Sequence, residues 1–161
     1  DLIMSTFSKS FASLGGFIAG DEQAVHYIKH HARSIIFSAS IPPSNAAAAL
    51  ASLQIMRAEP ERVDHLCKIA DYMRQGYRQL GFNIGNSTTP VIPVVIGERM
   101  LTIYVWKRLF DEGVFVNPVL SPGVQPGREL LRTSYMATHT FEQMDRVLAI
   151  FEKVGKETGL I

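Results

Sequence analysis

The chain has a single cysteine, Cys67, so no disulfide can close within its 161 residues. That favours a reducing compartment, and a cytoplasmic location is expected. No apolar run approaches the roughly 18–20 residues that cross a bilayer, so no transmembrane segment is expected. The first residues also lack the basic-then-apolar order of a signal peptide. Excess charge of either sign is absent. Sixteen basic residues face fifteen acidic ones, a net charge of +1, which gives no field to draw nucleic acid or an anionic membrane. Repeats and low-complexity segments are missing too. Lys9-Ser10 has the ending of a nucleotide-binding phosphate loop, but the glycines that must precede it are not there. What remains is 47% hydrophobic and 19% charged, with 12 Gly and 8 Pro: a globular protein with a real core, one ordinary domain or two small ones.

Asp1-Leu2-Ile3-Met4 opens the chain as a buried strand without an initiator Met, so a fragment of a longer protein is expected. Leu2 to Thr6 reads as a strand and Phe17-Ile18-Ala19, bracketed by glycines, as a second. Asp21 is placed to cap a helix to about Arg33. Ile35 to Ile41 reads as a strand running into Pro42-Pro43. Ser44 then caps an alanine-rich helix that Pro60 interrupts. Val63, Leu66, Ile69, Met73, Tyr77 and Leu80 mark an amphipathic helix closed by Gly81, with Cys67 beside the stripe as inert packing. Strands are expected at Val91 to Ile96, where Pro93 prefers an edge, at Val114 to Val116 and at Leu130 to Met136. A helix over about 99–112 ends at Gly113. Thr140 with Gln143 makes a capping box for the last helix. The class is α/β or α+β, with a domain boundary near residues 58–62.

Four constellations could carry chemistry. Lys9 follows a strand and lies among Ser5, Thr6, Ser8 and Ser10. A lysine partly stripped of water there would offer a neutral, nucleophilic amine, and the hydroxyls could bind a phosphate beside it. The plain alternative is a surface lysine in a serine-rich turn. His26 and His30 share a helical face at metal-ligand spacing, yet Tyr27 stands where a metalloprotease needs Glu, and a solvated face is expected. No metal is expected. Arg132 lies inside an apolar strand, which is costly unless it meets an anion, either a protein carboxylate or that of a ligand. Phe37-Ser38-Ala39-Ser40-Ile41 alternates hydroxyls with apolar residues before the double proline, which also fits an ordinary strand end.

Taken in order, Thr6-Phe7-Ser8-Lys9-Ser10, Gly15-Gly16-Phe17, Phe37-Ser38-Ala39-Ser40, and Leu131-Arg132 with Ala137-Thr138-His139-Thr140 resemble the α-oxoamine synthases, fold-type I enzymes that use pyridoxal 5'-phosphate (PLP). The resemblance covers essentially the whole chain. It implies that residues 1–58 are the end of a large PLP-binding domain and 59–161 a small C-terminal α+β domain. Lys9 would tether the cofactor covalently and serve as the catalytic base. Thr6 and Ser8 would bind its phosphate, Ser38 the phosphate of the neighbouring subunit in a homodimer with shared sites, and Arg132 the carboxylate of the amino-acid substrate.

The implied reaction condenses an amino acid, serine favoured, with an acyl-CoA and loses carbon dioxide to give an amino ketone, as in sphingoid-base synthesis. Alanine or glycine in place of serine, as in 8-amino-7-oxononanoate synthase or 2-amino-3-ketobutyrate CoA ligase, is the alternative. A non-catalytic family subunit is a third reading, against which Lys9 speaks. Ser5 departs from the Gly frequent before the Thr, and Ser121 to Pro126 only loosely matches the family's proline-rich loop. The family's Asp at the pyridine nitrogen and its ring-stacking His have no counterpart here, so this chain alone is expected to be inactive.

Overall fold

A strand that turns back through two glycines opens the chain. In the computed structural model, which describes residues 1–161, β1 (Leu2–Thr6) pairs antiparallel with β2 (Gly16–Gly20) from Leu2↔Gly20 to Thr6↔Gly16. Asp21 accepts from the Gln23 N–H at 2.9 Å and starts α1 (Glu22–His31). The short α2 (Arg33–Ile36) follows, then α3 (Pro43–Ala58). Pro43 occupies the first turn of α3, where its missing N–H costs nothing, and no side chain caps that end, so Ser44 does not have the capping role expected of it. The strand expected at Ile35 to Ile41 is not formed: its first residues complete α2 and the rest are irregular.

Residues 1–60 and 61–161 form two compact units. In the first, Ala49 is the only buried apolar side chain, and the strand expected to be buried is open, with Ile3 66% and Met4 76% exposed.

The second unit holds the core. α4 (Glu61–Gln79), α5 (Arg99–Asp111) and α6 (Phe141–Thr158) accompany a sheet of order β3-β5-β4, all antiparallel, with β3 Val91–Val95, β4 Asn117–Val119 and β5 Leu130–Ser134. Pro93 therefore stands on an edge strand, as its missing N–H requires. Strand alternation divides the sheet: Ile92, Val94, Leu131 and Thr133 are buried, while Val91, Arg132 and Ser134 are exposed on the other face. Ile69, Met73, Tyr77, Leu109, Met144, Phe151 and Val154 join the buried sheet residues in one cluster. Each such side chain contributes roughly 1.5–3 kcal/mol by leaving water.

Tyr77, Phe82 and Phe151 meet edge to face with centroids 4.9–6.1 Å apart. Gly76 lets α4 approach α6, since a Cβ there would lie 2.4 Å from Leu148 Cδ1. The capping box at Thr140 and Gln143 is present, and Glu98 caps α5 through the N–H groups of Met100 and Leu101. Cys67 is exposed instead of packed. No helix is long and apolar enough to cross a membrane.

Candidate functional site

The β1–β2 connection carries the first candidate group. Phe7 N–H bonds to Gly15 O and Ser13 N–H to Phe7 O, both at 2.9 Å, so residues 7–15 form a closed loop. Gly15 has φ +94°, and a Cβ on Gly16 would lie 2.5 Å from Ser5 O, so this hairpin needs both glycines. Phe7 packs against Phe11 and Phe17. The Ser13 hydroxyl donates to Asn45 O (2.7 Å) and the Ser52 hydroxyl to Phe11 O (3.0 Å), which pins the loop to α3.

On this frame the hydroxyls of Thr6 and Ser8 lie 2.8 Å apart. Thr6 Oγ1 also receives the Ser8 N–H at 3.1 Å and donates to Gly15 O at 3.2 Å. With the Thr6 proton committed to Gly15, Ser8 supplies the proton between the two hydroxyls. Lys9 follows directly; its carbonyl accepts from Ala12 N–H, and its ammonium forms no ion pair. Lys9 is exposed, so the partial loss of water expected for it does not arise from these residues. A cavity of about 490 Å³ lies between the hairpin and α1, lined by Thr6, Gly15, Phe17, Ile28 and Ile35 among others. Lys9 is not part of its wall.

Ser38 lies in the irregular segment after α2, exposed and without a hydrogen-bond partner. The His26 and His30 rings lie 4.2 Å apart at a 32° tilt, but His30 Nδ1 turns back to His26 O at 2.8 Å. No group of His, Cys, Asp and Glu side chains could hold a metal ion.

In the second unit Arg132 stands on β5, the middle strand, opposite Pro93 on one side and Asn117 on the other. It is exposed and has no carboxylate partner within this chain. Behind it, on the buried face, Thr133 Oγ1 donates to Ile92 O (2.9 Å) and accepts from Tyr135 (2.9 Å), whose hydroxyl lies 3.1 Å from that of Tyr77. One proton per oxygen fixes the order: Tyr77 to Tyr135 to Thr133 to Ile92 O. Burial pushes the phenols of Tyr77 and Tyr135 up, so both stay protonated donors. Composition gives no hint of this hydroxyl chain, because its members are 58 and 2 residues apart in sequence.

Residues 1–151 match the family described as aminotransferase class I and II. The chain belongs to that family. A serine palmitoyltransferase of Sphingobacterium spiritivorum is 48% identical over 99% of this chain and 40% of its own length. An 8-amino-7-oxononanoate synthase of Symbiobacterium thermophilum is 40% identical over 98% of this chain and 40% of its own. Among solved structures, a serine palmitoyltransferase with a PLP internal aldimine matches with a TM-score of 0.95 and 31% identity, covering all of this chain and 41% of that one. The chain thus spans about two-fifths of the relatives it matches. The resemblance drawn from the four motifs and the α/β fold-type I class are both borne out.

Proposed function

We propose that the full-length protein is a PLP-dependent C-acyltransferase. It joins an amino acid, serine by preference, to the acyl group of a coenzyme A thioester with loss of carbon dioxide, giving an amino ketone. The observation that carries this reading is the turn after β1, where a lysine free of any ion pair directly follows a Thr–Ser hydroxyl pair. The names of the relatives favour serine. A relative named 8-amino-7-oxononanoate synthase, at 40% identity, keeps alanine or glycine as the second reading.

The residues fit the cofactor. Thr6 and Ser8 would meet a phosphate with two rotatable hydroxyls and the Ser8 backbone N–H, each exchanging the internal bond it makes here for one to the ligand. Lys9 offers an accessible amine for the covalent tether. When bound, PLP supplies an electron sink for charge developing at the amino acid's α-carbon. Released from the tether, Lys9 Nζ takes the α-proton. To act as a base near neutral pH it must lose water, so its cover has to come from polypeptide outside these residues. Arg132 holds the substrate carboxylate through its fork of donors and so orients the α-carbon. Ser38, free of internal bonds, reaches the phosphate of a second subunit in a homodimer. Residues 1–58 then belong to the large cofactor domain and 59–161 to the small one. A cytoplasmic location is kept in this proposal on the strength of the single, unpaired cysteine.

The test is reductive trapping. The full-length protein is incubated with PLP, reduced with borohydride and mapped by peptide. Label on the peptide containing Lys9 is expected; label elsewhere, or none, removes the reading. Titrating the same holoenzyme with serine, alanine and glycine should give the lowest half-saturation for serine.

A further inference from the structure

Arg132 has two cross-strand neighbours, and they are chemically unequal. Pro93 on β3 offers no side-chain polar atom and no N–H. Its backbone also faces away from β5: Val95, two residues on and of the same parity, gives its N–H to Asn83 O at 2.8 Å, whereas Ile96 bonds to Glu129 O. Asn117 on β4 pairs directly with Arg132. Residues paired across an antiparallel ladder project from the same face with Cβ atoms about 4.5–5.5 Å apart. The rest of this face around them is Val91, Pro93, Val95, Val119 and Leu130, with Ser134 at the far end. One amide and one guanidinium therefore share an apolar frame. Neither side chain forms a hydrogen bond within the chain, to the other or elsewhere, so both are free to meet a ligand, and Asn117 is only partly exposed.

A guanidinium has five N–H donors, and a carboxylate takes two of them. Once a bound carboxylate and its cover displace water from this exposed guanidinium, the donors left over need acceptors, and the shorter Asn117 side chain stands beside the base of the arginine. Its Oδ1 can accept from the guanidinium while carrying no charge. An aspartate there would fix the arginine equally well but would neutralise it and compete with an incoming anion. We propose that Asn117 is a positioning residue that holds the Arg132 guanidinium through a neutral acceptor and so keeps its full charge for the amino-acid carboxylate. This rests on the role given to Arg132 above.

The test uses full-length holoenzyme and two ligands, L-serine and ethanolamine, which lacks the carboxylate. Binding is read from the absorbance of the bound cofactor, alongside the KM and kcat for serine. Asn117→Asp should weaken serine binding and raise its KM by roughly 10-fold or more, with kcat at saturation and ethanolamine affinity within about twofold of the parent. Asn117→Ala, which removes the acceptor without adding charge, should weaken serine several-fold and spare ethanolamine. Should the Asp variant not fold, the Ala variant decides. Unchanged serine binding overturns the proposal, and so does an equal loss for both ligands. Arg132→Ala separates the two levels. If it leaves serine affinity intact, the carboxylate role of Arg132 fails and Asn117 with it; if it abolishes affinity while the Asn117 variants bind normally, only the role of Asn117 fails.

Discussion

A hydroxyl inside a core stabilises only when each proton has somewhere to go. The chain from Tyr77 through Tyr135 and Thr133 to Ile92 O meets that condition, and its two ends differ. Tyr77 is a terminal donor, whereas Thr133 both donates and accepts. Tyr77→Phe removes one bond and should cost about 1 kcal/mol. Thr133→Val leaves both the Tyr135 proton and a lone pair of Ile92 O unmet and should cost more, about 2–3 kcal/mol. Urea denaturation of the two variants tests the order; a Tyr77→Phe loss equal to or larger than that of Thr133→Val would show that the protons run the other way. The same accounting isolates Arg132 and Lys9. Arg132 is the charged residue for which the sequence demanded an anion, Lys9 the one it offered as a nucleophile, and neither forms an ion pair within the chain.

Helix ends show how charge and backbone cooperate at the next scale. Glu98 accepts from Met100 N–H at 2.8 Å and Leu101 N–H at 2.5 Å, and these bonds hold its carboxyl below the usual carboxylate range. A carboxyl lowered in the folded state stabilises above its unfolded pKa, about 4.3, and that contribution is lost as pH falls through the lower folded value. The stability gap between the parent and Glu98→Gln should therefore be full at pH 7 and shrink progressively below about pH 4. A gap that stays constant down to pH 2 would mean that the charge contributes nothing.

Element type was legible where local chemistry decides it. The Thr140–Gln143 box, the glycine turn at 15–16 and the α4 stripe all follow from residues close in sequence. Two strands were misplaced for a traceable reason. Val114 and Val116 alternate inward as a strand would, but Val114 N–H still closes the end of α5 on Leu109 O, so the ladder begins at Asn117. Ile35 and Ile36 look β-branched and strand-like, yet Phe37 N–H bonds to Arg33 O and winds them into a turn of helix. Of the candidate site, Lys9, Thr6, Ser8 and Arg132 could be read from short motifs. Asn117 could not, because its pairing with Arg132 spans a loop that no periodicity encodes.

At the scale of the molecule the two units differ in what holds them. Every buried apolar side chain but Ala49 lies beyond residue 60. Residues 61–161, expressed alone, should therefore unfold cooperatively on heating, whereas residues 1–60 alone should show no transition. A cooperative transition in the short piece, or its absence in the long one, would contradict this division of the core. The contrast extends to the two charged groups. Arg132 lies on the middle strand of the sheet, its backbone turned toward Asn117, so its amide should exchange slowly with heavy water. Lys9 rides on a surface loop clipped to one helix by two serines, and the amides of that loop should exchange early. The arginine is thus carried by a frame that opens only with the core of its unit, and the lysine by a loop that two hydroxyl clips alone hold in place.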